Sequence, residues 1–511
     1  MVLILTDVLI EMGSFIPIGS SYIKTNNTLN IIIVGASGDL TKRKIMPAIY
    51  DLYKDKLLPD DFHIIGFSRT PMKDNEFVAK LNAFKSYDQK FSSRIEYIAG
   101  EYSNLLSYEK LGEAILKHDG NRLIYLAIPP DIIKEVTSNI SKASIVTQCS
   151  CEEDKANSYC VKSGNWSRLI FEKPFGHDTD SAVDLNYYLQ ALFEEKQIYR
   201  IDHFLGKETV QNIMIFRFAN SIFEPLWNNH YVDHIEINIS EEVKITSRGA
   251  YFDNAGIVRD VIQNHALQLL ALLTMEPPIS FDADAIRDEK VKLLKSLTMF
   301  DDNTYQDHTI RGVYLGYSQE DGVKKDSKTE TFAALRFFIK NWRWAGVPVY
   351  IRAGKALASK TTQAHIYFKE LPHKLFKNIS PDRNLPNQII FKFQPHEGIH
   401  LTCLSKVPGK NFELVPVEMD FNYLMNFNSR LPDAYERLLL DAIHNDLSLF
   451  IRHDEIKEAW RFVDSFLKRW EKDSQFPLYE YIPGQNGPEE MHTFIERFGH
   501  LWNKEYCRLK V

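Results

Sequence analysis

Leu29-Asn30-Ile31-Ile32-Ile33-Val34-Gly35-Ala36-Ser37-Gly38-Asp39-Leu40-Thr41-Lys42-Arg43-Lys44 is the stretch whose reading decides the fold. Leu29–Val34 is a continuous, β-branched run, as expected of a strand buried on both faces in a parallel sheet. It leads straight into a glycine-bearing turn. Leu40, Ile45, Ala48, Ile49 and Leu52 then repeat at helical spacing. Strand, glycine turn and helix start together make an anion cradle, because free backbone N–H groups and the positive end of the helix dipole converge there. The pattern is G-x-x-G-D-L rather than G-x-G-x-x-G. Alone, it also fits an ordinary strand–turn–helix link.

The segments that follow extend a βα alternation. Phe62–Phe67 reads as a second strand, ending in Ser68-Arg69-Thr70. An acidic residue at that position would bind a ribose 2′-hydroxyl; Arg69 suits a 2′-phosphate, so NADP is expected rather than NAD. Arg122–Ile128, Leu169–Phe171 and Tyr199–Ile201 read as further strands. Glu172-Lys173-Pro174 follows the second of these, placing Lys173 at the crevice end of the sheet. Ser144–Ser167 is polar and reads as an inserted loop. A Rossmann-type, doubly wound sheet is therefore expected over residues 29–203, preceded by an extension over 1–28.

From about Lys207 the pattern changes. A helix is expected over Lys207–Ala219, and then strands with period-two character: His234–Ile239, Phe332–Phe338, Val347–Ile351, His365–Phe368, Gln388–Phe393 and His400–Leu404. Helices are expected at Arg259–Leu273 and near Asp433–His444 and Asp454–Trp470. The expectation for 204–511 is an α+β domain: a large, mostly antiparallel sheet with helices on one face and the other face free for self-association. The fold class is thus α/β plus α+β.

Composition bounds the function. The 511 residues carry a net charge of −7, which gives no general reason to bind nucleic acid. Five cysteines, at 149, 151, 160, 403 and 507, are too few and too uneven for a disulfide framework and point to a reducing compartment. No metal site is expected. The apolar start, 1–18, is interrupted by Asp7 and Glu11 and lacks a basic leader, and no later stretch suits a membrane span. A cytoplasmic protein is expected.

The chemistry concentrates in Tyr199-Arg200-Ile201-Asp202-His203-Phe204-Leu205-Gly206-Lys207. A carboxylate with an imidazole can move a proton; an imidazole with an amine can hold an anion. In the helix Arg259–Leu273, His265 borders the apolar stripe, which fits a core histidine as well as a base. Asp260 stands about 140° from it on an α-helical wheel. A different carboxylate is then needed to orient His265, and Asp202 is the candidate. His203 and Lys207 would lie one turn apart on a helix beginning there. In an extended backbone, Asp202 and His203 would point to opposite sides.

These residues carry a resemblance. Gly35-Ala36-Ser37-Gly38-Asp39-Leu40, Glu172-Lys173-Pro174-Phe175-Gly176, Arg200–Lys207, Arg259–His265, Arg352-Ala353-Gly354-Lys355-Ala356-Leu357, Gln394-Pro395 and Leu431–Arg437 resemble the glucose-6-phosphate dehydrogenase family, in its order. The resemblance implies oxidation of glucose 6-phosphate at C1 with hydride transfer to NADP, the first step of the pentose phosphate pathway. It implies His265 as general base, Asp202 as its orienting partner, and Lys173 touching substrate and nicotinamide. His203, Lys207, Glu241, Asp260, Lys355, Lys360 and Gln394 would bind substrate. Gly35, Ala36, Ser37, Gly38, Asp39, Leu40, Thr41, Lys42, Arg69 and Lys173 would bind cofactor. A homodimer or homotetramer is implied, with no nucleic acid and no membrane as partner.

The sequence departs from the family at Phe204, a position often Tyr, which removes a hydroxyl donor to the phosphate. Arg352 and Asp420 match a structural NADP site of some members, but Tyr481–Pro488 and Tyr506–Val511 lack its basic and aromatic contacts. Two other readings share part of the pattern: an NADP-linked oxidoreductase of unphosphorylated sugars, and a cofactor-binding scaffold without catalysis.

Overall fold

The structure is a computed structural model that describes residues 28–146, 165–373, 375, 387–410, 413–422 and 430–503. The extension over 1–27, most of the insertion at 144–167, Cys149, Cys151, Cys160, Cys507 and the tail Tyr506–Val511 lie outside them.

The first sheet contains β1 (Leu29–Val34), β2 (Phe62–Ser68), β3 (Ile95–Ala99), β4 (Asn121–Leu126), β5 (Ser167–Glu172) and β6 (Ile198–Ile201). The order β6-β5-β4-β1-β2-β3 is parallel throughout, and β1 is buried along its whole length. Burying each of Ile31, Ile32, Ile33 and Val34 contributes roughly 1.5–3 kcal/mol, which is why an unbroken apolar run sits at the centre of the sheet. Ser167, read from sequence as the end of the insertion, already belongs to β5.

The second sheet has β7 (Val232–Ser240), β8 (Thr309–Tyr314), β9 (Phe332–Phe338), β10 (Pro348–Gly354), β11 (Thr361–Phe368), β12 (Gln388–Gln394), β13 (Gly398–Lys406) and β14 (Leu414–Asn422). Its order is β14-β13-β12-β11-β7-β10-β9-β8, with β16 (Tyr479–Tyr481) at the far edge. Among the described residues, only β10–β7 and β16–β8 pair in parallel in this sheet. The first sheet is extended at the β6 edge by β15 (Phe450–Ile451), which returns from the late chain to pair antiparallel with β6.

Two expectations are corrected here. The expected helix Arg259–Leu273 is a π-helix over Val258–Ala266, continued as an α-helix over Leu267–Thr274. The outer face of the second sheet is not free at its centre: Trp502 lies edge-on to Tyr350 of β10, and Arg352 stands 5.4 Å from the Trp502 ring. Exposure of apolar side chains shifts instead to the edge strand β14, at Val417 and Met419.

Candidate active site

The cofactor end is built at the carboxyl ends of β1 and β2. Gly35 has φ +93°, and a Cβ there would stand 2.1 Å from the Ala127 carbonyl oxygen, so only glycine fits. Gly38 N–H closes the turn onto Gly35 O at 2.9 Å, and the Thr41 hydroxyl donates to the same oxygen at 3.3 Å. Ala36 and Thr41 are therefore internal ties. Gly38 and Asp39 sit exposed on the rim, with Leu40 and Lys42 half-buried behind them. Ser37 and Ser68 hydroxyls lie 2.7 Å apart, and exposed Arg69 reaches over the Tyr102 ring. The hydroxyls and the guanidinium make a polar, positive rim at the second strand.

Asp202 and His203 follow directly on β6, and Lys173 follows β5, so all three stand at the same carboxyl edge of the sheet. Asp202 is fully buried, and His265 donates from Nδ1 to Asp202 Oδ1 at 2.5 Å. A second donor, Phe204 N–H, reaches the same oxygen at 3.0 Å. With Nδ1 donating, the neutral ring keeps its lone pair on Nε2. Among the described residues nothing hydrogen-bonds that nitrogen. Burial, reinforced by Lys173, holds the His265 imidazole below the ordinary histidine value, against the pull of Asp202. His265 in turn draws Asp202 below the usual carboxylate range, although burial opposes it.

The π-helix explains how His265 reaches this position. Its bonds run to i+5, so residues five apart share a face. Asp260 and His265 are such a pair. The wheel argument that separated them assumed α geometry and does not hold; both face the crevice. Asp260 accepts from Lys173 Nζ at 3.3 Å and pairs with Lys355 Nζ at 3.1 Å. Lys355 also donates to Glu241 at 2.7 Å, so Lys173, Asp260, Lys355 and Glu241 form one alternating ladder of charge.

Behind the π-helix sits a device that the sequence reading missed. Gly256, at φ +69°, precedes it, and a Cβ there would fall 2.2 Å from Glu330 Oε1. Glu330 caps the π-helix start, accepting from Val258 N–H at 3.2 Å. Gly256→Ala is expected to lose roughly 2–3 kcal/mol of stability through strained backbone and the displaced cap. The check is a thermal melt beside wild type; an unchanged midpoint would mean the turn tolerates a Cβ.

The opposite wall carries Lys207, which donates to Gln394 Oε1 at 3.0 Å and stands 4.5 Å over the Phe204 ring. Burial, with a smaller push from exposed Lys360 and against the pull of Glu397, brings the Lys207 ammonium down to about 8. The helix begins at Glu208, so His203 and Lys207 are brought together by a turn and not by a helical repeat. Nor do Asp202 and His203 diverge. The His203 ring lies 4.7 Å from the His265 ring, edge to face. Burial and His265 push His203 down to about 3, so it enters as a neutral donor and not as a cation.

Family models described as "Glucose-6-phosphate dehydrogenase, NAD binding domain" and "Glucose-6-phosphate dehydrogenase, C-terminal domain" match residues 32–212 and 214–503. The chain belongs to the glucose-6-phosphate dehydrogenase family. It is 41% identical over 497 residues to glucose-6-phosphate 1-dehydrogenase of Chlamydia pneumoniae, covering 92% of this chain and 95% of that protein. Identity to glucose-6-phosphate 1-dehydrogenase 6, cytoplasmic, of Arabidopsis thaliana is 39%, over 94% and 93% of the two chains. Among solved structures, a glucose-6-phosphate dehydrogenase in complex with its substrate glucose 6-phosphate superposes with TM-score 0.83 at 35% identity, covering 94% of this chain and 99% of that one.

Within this glucose-6-phosphate dehydrogenase family member, Phe204 fills the place where a Tyr is common with a stacked contact. Its ring lies 4.1 Å from His265 at 17° and packs beneath Lys207. One apolar side chain thus separates the imidazole from the amine. Tyr435 stacks beyond His203, and its hydroxyl shares the half-buried Glu172 carboxylate with Tyr125. Burial raises Glu172, against the pull of the Tyr125 and Tyr435 hydroxyls that share its carboxylate, and the network braces Tyr435 against His203. Glu172 and Tyr435 both lie inside motifs quoted above, but nothing in their spacing showed that they meet. Arg352 is engaged with Asn238 at 2.7 Å and with Trp502, and Asp420 pairs with His400.

Proposed function

We propose that the chain oxidises D-glucose 6-phosphate at C1 to 6-phosphoglucono-1,5-lactone, with NADP as acceptor, His265 as general base and Asp202 as its positioning carboxylate. The observation that carries this reading is the Asp202–His265 hydrogen bond, which leaves Nε2 without a hydrogen-bond partner among the described residues. Removing the C1 hydroxyl proton needs a neutral imidazole, and burial keeps His265 in that form. As the ring gains the proton, Asp202 stabilises the imidazolium and holds its orientation.

Lys207 and Lys360 supply the charge for the sugar phosphate, with His203 and Gln394 as neutral partners. Glu241, Asp260 and Lys355 present alternating acceptors and donors suited to sugar hydroxyls. The fit for NADP rests on the space that Gly35 leaves open and on Arg69, with Gly35–Lys42 forming the turn. When bound, NADP supplies the hydride acceptor. Lys173, at the end of β5 and against Asp260, is the residue placed to touch both substrate and nicotinamide. Holding the two in line is the rest of the protein's task.

The same proposal divides the chain at 29–203 and 204–511, locates it in the cytoplasm, and assigns homo-oligomer formation to the second sheet. No helix among the described residues is long and apolar enough to cross a membrane.

Phe204→Tyr is expected to leave kcat nearly unchanged and to lower the KM for glucose 6-phosphate modestly, by adding one hydroxyl donor near Lys207. Steady-state kinetics with both substrates varied would check this; a large fall in kcat would mean that the ring's stacking on His265 matters to the chemical step. The proposal as a whole is tested by mixing the purified chain with glucose 6-phosphate and NADP and following NADPH absorbance. Turnover is expected, with far weaker use of free glucose. Equal use of both would favour an oxidoreductase of unphosphorylated sugars.

A further inference from the structure

We propose that Asp233, His234 and His500 form a second, non-catalytic site for a divalent cation of the zinc class. The three side chains come from two distant parts of the chain. Asp233 and His234 lie on β7, and His500 follows the last helix, Glu490–Glu496. Asp233 Oδ2 stands 2.7 Å from His234 Nδ1 and 3.1 Å from His500 Nε2. One donor atom from each residue lies within 4.8 Å of the others. Zinc takes nitrogen and carboxylate ligands at about 2.0–2.2 Å, which sets neighbouring donors roughly 3–3.5 Å apart in a tetrahedron. Small side-chain rotations convert the observed spacing into that one.

Both imidazoles are held at the nitrogen that does not face Asp233. Tyr350 and His500 Nδ1 share a hydrogen bond at 2.8 Å. His234 Nε2 faces Glu236 Oε1 at 3.5 Å. Glu236 is fully buried at the centre of the sheet, and neither of its oxygens accepts a hydrogen bond among the described residues. Such a carboxylate is costly unless positive charge lies close by. A buried carboxylate behind a ligating imidazole is also the arrangement that orients metal-binding histidines. The His234 ring is further fixed by stacking on Tyr367 at 4.2 Å.

An entry path is present. Asp233 and His500 line a cleft of about 330 Å³. Arg336 and Lys369 line the same cleft and suit an anion as the fourth ligand. A cation bound here would tie the C-terminal segment to β7 and compensate Asp233 and Glu236 together.

The test uses the full chain, stripped with a chelator and titrated with Co²⁺ and then Zn²⁺. The expected result is one equivalent of cobalt with the intense visible bands of a four- or five-coordinate ion, displaced by zinc. His500→Gln and Asp233→Asn should each weaken binding more than ~100-fold, and Glu236→Gln by about 10–100-fold. Zinc should raise the melting temperature of wild type but not of His500→Gln, whose activity should match wild type. Gln keeps a donor toward Asp233, and Asp233→Asn gives an independent arm if one variant misfolds. Two results would overturn the proposal. Cobalt binding unchanged in both variants would place the ion elsewhere, as at Asp202, His203 and His265. Absence of binding, with the melting temperature responding to pH alone, would make the cluster a proton-held clamp.

Discussion

Replacing His265 with asparagine is expected to lower kcat by about 10²–10⁴-fold, the range that a positioned general base contributes, while the chain stays folded. Asparagine retains an amide that can donate to Asp202, so the fully buried carboxylate keeps a partner. It offers no basic nitrogen in place of Nε2. The choice of substitution matters. His265→Ala would leave Asp202 buried beside an unfilled space, and stranding a buried charge costs about 3–5 kcal/mol. A dead alanine variant would then not separate lost chemistry from lost structure. The measurement is kcat by NADPH absorbance, with circular dichroism and a thermal melt on the same sample. A loss below about tenfold would mean that another group takes the proton.

Replacing Lys207 with methionine is expected to raise the KM for glucose 6-phosphate by about 10–150-fold, the equivalent of a charge-assisted hydrogen bond of ~1.5–3 kcal/mol, with kcat little changed. Methionine preserves the packing over Phe204. The effect on free glucose should be negligible, because no phosphate is present to lose its partner. A pH signature accompanies it. A cation whose pKa is pushed down loses its proton earlier as pH rises, so kcat/KM of wild type should decline on the alkaline side of about 8. That limb belongs to the free enzyme and should be absent from Lys207→Met. Equal losses for glucose and glucose 6-phosphate would remove Lys207 from the phosphate clamp.

What could be read from the sequence, and what could not, divides along a physical line. The parallel sheet was legible at Leu29–Val34, because burial on both faces leaves an unbroken apolar run. Phe332–Phe338 was legible to the residue, as an apolar and aromatic run that begins directly after the polar Glu330-Thr331. Asp202 as the partner of His265 was reached by an argument with a wrong premise. A π-helix has the same composition as an α-helix, so Val258–Ala266 carries no signal that shifts its face. The signal that could have been used is Gly256, whose positive φ and missing Cβ open the space that Glu330 fills. Residue type alone places His203 in a cationic pair with Lys207; the fold sets it 4.7 Å from His265, where burial and that ring push it down to about 3. The Glu172–Tyr125–Tyr435 network and the Asp233–His234–His500 cluster each join segments separated by long stretches of chain, a relation that only the fold establishes.

The most direct test of the central claim is the pH dependence of kcat for wild type and Asp202→Asn, with glucose 6-phosphate and NADP both saturating. On the proposed mechanism His265 acts as a neutral base, so the rate should fall as pH drops through its pKa, which burial sets below the ordinary 6.5. The charge on Asp202 raises that pKa. Removing it should move the acid limb to still lower pH and depress the plateau by about 10²-fold or more, as imidazolium stabilisation and ring orientation are lost. The account predicts wild-type turnover with both changes in the variant. A wild type that does not turn over, or an Asp202→Asn profile that overlays it, would contradict the account.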